Sequence, residues 1–372
     1  MAYLGENIPK LGFGLMRLPM LADGTEVDIE QVKAMTDRFL AAGFKYFDTA
    51  FGYLGGRSEA AAKAALVDRY PRDSFYLATK LPAWAGPKTA EEAKQMFWTS
   101  LERTGAGYFD FYLLHNIGAP RLKFFDDYGI WDFLRERKKE GLIRHLGFSF
   151  HDGPELLDEL LTKHPDMEFV QLQINYTDWE DASVQSRACY EVVRKHGKSV
   201  IIMEPVKGGS LANLPADVQA PIRAIGAEPV SAALRFAASL DGVVTVLSGM
   251  STLEQMEQNI GFMKDFQKLN DAEYKAIDDA LKILKSRPSI PCTGCSYCTK
   301  GCPVQMPIND IFTARNKELV YGDRNGALGF YGMVTSATKA SECVGCGQCE
   351  AACPQHISII DELKKISEDY DR

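Results

Sequence analysis

Short, almost uninterrupted apolar runs alternate along this chain with stretches whose apolar positions recur every three to four residues. The runs are "LGFGLM" (11–16), "KYFDTA" (45–50), "FYLATK" (75–80), "DFYLLH" (110–115), "RHLGFS" (144–149), "FVQLQI" (169–174), "SVIIME" (199–204) and "VTVLSG" (244–249). Runs apolar at nearly every position predict parallel strands covered by helices rather than half-exposed strands. Between them, Val32, Met35, Phe39 and Ala42 mark one helical face, with Asp28 as its N-cap and Gly43 beyond its end. Ala93, Met96, Phe97 and Leu101 mark another. Eight strands with interleaved helices over about 285 residues predict an α/β protein built on a (β/α)8 TIM barrel. A doubly wound open sheet is the runner-up, but the GxGxxG turn that often follows its first strand is absent. Two further helices, at about 252–266 and 271–287, follow the eighth strand. They are expected to return the chain near the C-terminal face of the barrel, where its tail would cap a pocket.

Composition narrows the class. The 372 residues are 46% hydrophobic and 25% charged, which suits a globular protein with a sizeable core. A net charge of −8 argues against a nucleic-acid partner, because phosphate binding needs clustered cations. No apolar run approaches a membrane span and "MAYLGENIPK" lacks a secretory core, so a cytoplasmic location is expected and no membrane association. Eight of the nine cysteines follow residue 290. Behind a long cysteine-poor segment they predict ligand thiolates rather than disulfides. The ninth, Cys189, lies in a helix-like stretch and is expected to be a small buried apolar residue.

If the barrel forms, polar residues at strand C-terminal ends are candidate chemistry. Asp48 ends the second strand, Tyr53 lies in the loop after it, Lys80 closes the third and His115 the fourth. Each has an ordinary structural use taken singly; four on consecutive strands point to a site. A lysine cation beside a tyrosine favours the phenolate and is expected to lower the Tyr53 pKa, and a carboxylate holds that cation in place. The phenol can then protonate a carbonyl oxygen that a histidine N–H orients.

These four residues, with "FDTAFGYLGGRSE", "LATK", "FYLLH", "LGFGLMRLP" and "SAALRFAASLDGVVTVLSGMSTLEQMEQN", resemble the aldo-keto reductases over about residues 5–285. The resemblance implies an oxidoreductase interconverting an aldehyde or ketone and an alcohol with NADP(H) or NAD(H), and a small carbonyl or alcohol substrate. It carries Tyr53 over as general acid/base with Asp48, Lys80 and His115, and implies nucleotide contacts at Ser149, Gln173, Met203, Pro205, Lys207, Gly249, Gln255 and Asn259. The pattern departs from the family at Phe150, where Asn is frequent, at Met203 in place of a stacking aromatic, and at Gly249, Met250 and Gln255, which lack the cations that a 2′-phosphate attracts. NADH is therefore as open as NADPH. Met16, Trp84 and Trp179 are expected in or near strand-end loops, where they suggest an apolar lining that packing would explain equally well.

"CTGCSYCTKGCP" (292–303) and "CVGCGQCEAACP" (343–354) share one spacing, that of a two-cluster bacterial-type ferredoxin. In that arrangement three cysteines of each motif bind one cluster and the fourth crosses to the other. Cys292, Cys295, Cys298 and Cys353 would hold one [4Fe–4S] centre, and Cys343, Cys346, Cys349 and Cys302 the second. Zinc fits poorly. The helix-like connector resembles a mainly helical ferredoxin-type domain, giving expected domains at 1–287 and 288–372. A tail with few core aliphatics would need the clusters as staples. Their use stays open between a relay to an external ferredoxin or flavodoxin, a scaffold, and redox sensing. A non-catalytic sensor or electron-transfer protein on a reductase barrel is the alternative reading.

Overall fold

A computed structural model describes residues 3–371. Eight strands, β1 (Leu11–Gly14), β2 (Tyr46–Asp48), β3 (Tyr76–Leu81), β4 (Phe109–Ile117), β5 (Ile143–Phe150), β6 (Phe169–Gln173), β7 (Ser199–Met203) and β8 (Val243–Ser248), close into a parallel barrel in chain order. Every apolar run predicted as a strand overlaps one, with ends that differ by at most two residues, and the fold is the (β/α)8 barrel. Asp28 caps the helix Ile29–Ala41 by accepting the Gln31 N–H at 3.0 Å, and Gly43 beyond it takes φ +90°.

Register explains how the barrel sorts its side chains. Asp48 pairs with Ala78, Lys80 with Leu113, Gly147 with both Leu113 and Phe169, Ser149 with Gln171, and Gln173 with Met203. Strand side chains alternate between faces, so one parity runs round the barrel. At the N-terminal ends it carries Tyr46, Ala78, Phe111, Phe169 and Ile201, which pack with Ile8 and Val244 into a plug. Tyr46 and Phe111 rings meet at 5.0 Å, and Phe111 and Phe169 at 5.3 Å. The same parity, continued toward the C-terminal ends, reaches Asp48, Lys80, His115, Ser149, Gln173 and Met203. One end of the interior is apolar filling and the other is polar chemistry.

By compactness the chain divides into Met1–Pro205 with Ala233–Leu269, which contains all eight strands, and Val206–Ala232 with Asn270–Arg372. Within the second unit, the helix Asp271–Ser286, begun by a reciprocal capping box between Asn270 and Glu273, packs on Ala216–Ala224 and on Ile308–Tyr321. Arg287 pairs with Asp217 at 3.0 Å. The connector between the cysteine motifs forms the helices Ile308–Tyr321 and Arg324–Val334, and the helix Ile359–Tyr370 follows the second motif. The expectation of a tail poor in core aliphatics is corrected here. Ile308, Ile311, Phe312, Ile359, Leu363 and Ile366 are all buried together. They lie on two helices separated in sequence by the second cysteine motif, so the aliphatics gather only in the fold. Among the described residues no helix is long and apolar enough to cross a membrane.

Candidate active site and cluster cages

Lys80, fully buried, is the hub of the barrel site. Its Nζ donates to Asp48 Oδ1 at 2.5 Å, to the Thr49 carbonyl at 2.8 Å and to the Tyr53 hydroxyl at 3.3 Å. Burial works against its charge, but Asp48 and Tyr53 outweigh that effect and the Lys80 pKa is raised, so it remains an ammonium. A buried ammonium left without its carboxylate would cost about 3–5 kcal/mol, which makes Asp48 a structural requirement for Lys80. The ammonium also lies 4.7 Å from the centroid of the Tyr53 ring.

Tyr53 departs from expectation. Burial raises its pKa, the opposing pull of Lys80 does not offset that, and Asp48 and Glu204 add to the rise. The neighbouring cation alone would lower the value; desolvation reverses the sign. The phenol therefore stays protonated at neutral pH, which suits it to give a proton to a nascent alkoxide.

His115 faces Tyr53 edge-on at 5.8 Å between ring centroids. Burial, then the charges of Lys80, His151 and Arg121, hold its pKa well below the ordinary value, so the imidazole is neutral. Its buried Nδ1 has no partner among the described residues. Trp84 braces it, donating from Nε1 to the His115 carbonyl at 2.9 Å. Of the other two residues expected to line a pocket, Trp179 packs on Tyr190 and Phe236, whereas Met16 is exposed.

The remaining positions differ in what they have free. Ser149 Oγ accepts the Asn116 N–H at 2.7 Å, which leaves its hydroxyl proton to donate elsewhere. Gln173 Nε2 donates to Asp178 at 2.8 Å, leaving its carbonyl oxygen as an acceptor. Met203, at the end of β7, receives the Gln171 amide on its sulfur at 3.6 Å. Pro205 is buried; Lys207 falls in the second unit, its Nζ 5.9 Å from the centre of the Tyr321 ring. Gln255 uses its carbonyl to hold the Ser251 N–H at 2.8 Å, and Asn259 donates to Ser248 Oγ at 2.9 Å. Both brace the turn after β8. Gly249 in that turn lies against the stem of Arg17, where an added Cβ would come within 3.3 Å of it. Three charged residues at the strand ends escaped the sequence reading: Arg17, Arg121 and Glu204. Glu204 had one visible signal, a charge directly after the apolar run of β7. Its φ of +57° is a strained conformation of the kind that gathers at functional sites.

In the second unit, Cys292, Cys295, Cys298 and Cys353 line one small cavity, and Cys302, Cys343, Cys346 and Cys349 line another. The thiols fall together by the crossed assignment, not by the order of the two motifs. Their backbones repeat as well. Positive φ at Gly294, Ser296 and Gln305 recurs 51 positions later at Gly345, Gly347 and His356. The short helices Tyr297–Lys300 and Gln348–Ala351 keep the same offset and pack together. Among the described residues no three His, Cys, Asp or Glu converge tightly enough for a single metal ion. Two apolar-walled cages of four thiols each fit a cluster. Cys189 stands apart: it is buried, donates to the Asp152 carbonyl at 3.5 Å, and burial pushes its thiol up to about 11.

A model of the Aldo/keto reductase family matches residues 10–282, and one of a 4Fe-4S dicluster domain matches residues 291–358. The chain belongs to the aldo/keto reductase family. It is an oxidoreductase of that family carrying a 4Fe-4S dicluster domain. Among its curated relatives is an aldo-keto reductase of Mycobacterium sp. (strain MCS), 29% identical over 245 residues, 66% of this chain and 78% of that one. Among solved structures, the holo form of a Bacillus halodurans aldo-keto reductase is similar with TM-score 0.61 at 25% identity, over 75% of this chain and 95% of that one. A Klebsiella pneumoniae aldo/keto reductase solved in complex with NADP and acetate shares the fold, with TM-score 0.58 at 21% identity over 73% of this chain and 90% of that one.

Proposed function

We propose that this aldo/keto reductase is an NAD(P)-dependent oxidoreductase that interconverts an aldehyde or ketone with its alcohol, with Tyr53 as general acid and base. The observation that carries the reading is the fully buried Lys80 ammonium held between Asp48 and the Tyr53 hydroxyl, with neutral His115 opposite. A bound dihydronicotinamide supplies the hydride for the carbonyl carbon. Tyr53 gives its proton to the carbonyl oxygen, and Lys80 stabilises the phenolate left behind. His115 donates an N–H to the same oxygen and fixes its direction. The hydroxyl proton of Ser149 and the free carbonyl of Gln173 match the acceptor and donors of a nicotinamide carboxamide, and Met203 offers a polarisable face to the ring. Pro205, Lys207, Gly249, Gln255 and Asn259 complete the nucleotide contacts in this reading, and residues 1–287 and 288–372 form its two domains.

The second part of the proposal concerns the tail. The two sets of four thiols would each hold one [4Fe–4S] cluster, which would supply one-electron chemistry. Cys295 and Cys346 are exposed whereas Cys298 and Cys349 are buried, so each cage has one thiolate toward solvent. That favours exchange with an external ferredoxin or flavodoxin over a purely structural role. The test is anaerobic mixing of the cluster-loaded protein with NADH and, separately, NADPH, while nucleotide and cluster absorbance are followed together. A relay that reaches the nicotinamide bleaches the clusters as nucleotide is oxidised. Clusters that stay oxidised beside a bound nucleotide contradict it.

A further inference from the structure

Arg121 belongs to the helix Ala119–Asp127, which begins two residues after the end of β4. Its side chain turns back over the strand end. Nη1 donates to Asn116 Oδ1 at 2.8 Å, and the guanidinium lies 4.7 Å from the centre of the Trp84 ring. Trp84 in turn is bonded to the His115 carbonyl, with its ring 6.4 Å from the imidazole. Asn116, next to His115, takes φ +59°, a conformation that non-glycine residues seldom adopt. A strained asparagine and a tryptophan thus hold one cation beside the histidine that faces Tyr53.

That cation has no carboxylate of its own. No acidic side chain pairs with Arg121 among the described residues, although most arginines of this barrel have such a partner. The nearby carboxylate of Asp152 is already engaged, accepting the Ala119 N–H and the Gly153 N–H at 2.7 Å each. Glu204 follows β7, three strands round the barrel from β4. A guanidinium carries five donors in a planar fork suited to a carboxylate, and here one of them has a partner in the chain. The Trp84 ring beneath the guanidinium adds a cation–π contact that helps hold the charge in place. The charge of Arg121 is felt at both His115 and His151, in keeping with its place beside the imidazole.

We propose that Arg121 anchors a carboxylate on the substrate, making the substrates of this site oxo acids in one direction and hydroxy acids in the other. The inference rests on the carbonyl–alcohol reading of the site and names the substrate class within it. The test compares short ω-oxo acids, each beside the plain aldehyde of the same length, in full-length cluster-loaded protein and in Arg121→Gln and Arg121→Lys. Loss of one charge-assisted contact lowers the oxo-acid to aldehyde ratio of kcat/KM about 30-fold in Arg121→Gln, chiefly through KM, with Arg121→Lys between. An unchanged ratio overturns the proposal. Calorimetric binding of butanoate separates it from the reading beneath it. Binding that weakens about tenfold or more in Arg121→Gln supports the anchor even if no aldehyde is turned over, which would sink the reductase reading alone. Equal binding in both proteins overturns the anchor.

Discussion

Tyr53→Phe is expected to lower kcat/KM for carbonyl reduction by about 10³-fold, within the range that a positioned proton donor contributes. The substitution removes one oxygen. Lys80 keeps Asp48 at 2.5 Å and the Thr49 carbonyl at 2.8 Å, so the buried cation stays in place. The groups that match a carboxamide, on Ser149 and Gln173, belong to β5 and β6 and do not depend on the phenol. Nucleotide affinity, read by fluorescence titration, should accordingly change by no more than about threefold. The pH profile follows from the raised Tyr53 pKa. A raised folded-state pKa keeps the acid protonated through neutral pH, so reduction by the parent protein holds there and falls only in the alkaline range, above the ordinary tyrosine value of about 10. Full turnover in Tyr53→Phe would remove the phenol from the mechanism.

The second large effect is expected in the tail. Cys353→Ser should abolish the cluster held with Cys292, Cys295 and Cys298 while sparing the other, although Cys353 belongs by sequence to the second motif. Cys302→Ser should do the reverse. Iron content then falls to about half in each, with a different low-temperature EPR signal surviving, because each [4Fe–4S] cluster needs its full set of thiolates. Cys292→Ser is the companion variant: it should reproduce the spectrum of Cys353→Ser and not that of Cys302→Ser. If the variants group by motif instead, the crossed cages are wrong. The apolar core of Ile308, Phe312, Leu363 and Ile366 remains in each variant and keeps the surviving cage folded enough to read.

Much of this could be read from the chain because its signals repeat. Eight apolar runs mark eight strands, and the two-residue alternation along β2 to β7 puts Asp48, Lys80, His115, Ser149, Gln173 and Met203 on one face. The cysteine spacing carries its own pairing rule, and each cavity is lined by the four cysteines that rule names. What escaped the reading depends on distance rather than pattern. The pKa of Tyr53 turns on how much water its hydroxyl loses, and no spacing reports that. Arg121 looks like any helical surface arginine until Asn116 and Trp84 turn it back toward His115. The core of the second unit comes from helices on either side of the second cysteine motif, Ile308–Tyr321 before it and Ile359–Tyr370 after it, whose apolar faces meet only in the fold. In the barrel, neighbours in the pattern are neighbours in space; in the tail, Cys353 and Cys292 meet only through the fold.

The central claim is a direct hydride transfer at the carbonyl that Tyr53 protonates. The most direct test is to incubate cluster-loaded protein anaerobically with NADPH or NADH deuterated at C4, each face in a separate run, and an aldehyde, and to locate deuterium in the alcohol by NMR. The account predicts one deuterium at the carbinol carbon from one face only, and labelled alcohol forming about 10³-fold more slowly with Tyr53→Phe. Alcohol formed without deuterium from either face, while nucleotide is consumed, would mean that the electrons travel by another route and would contradict it.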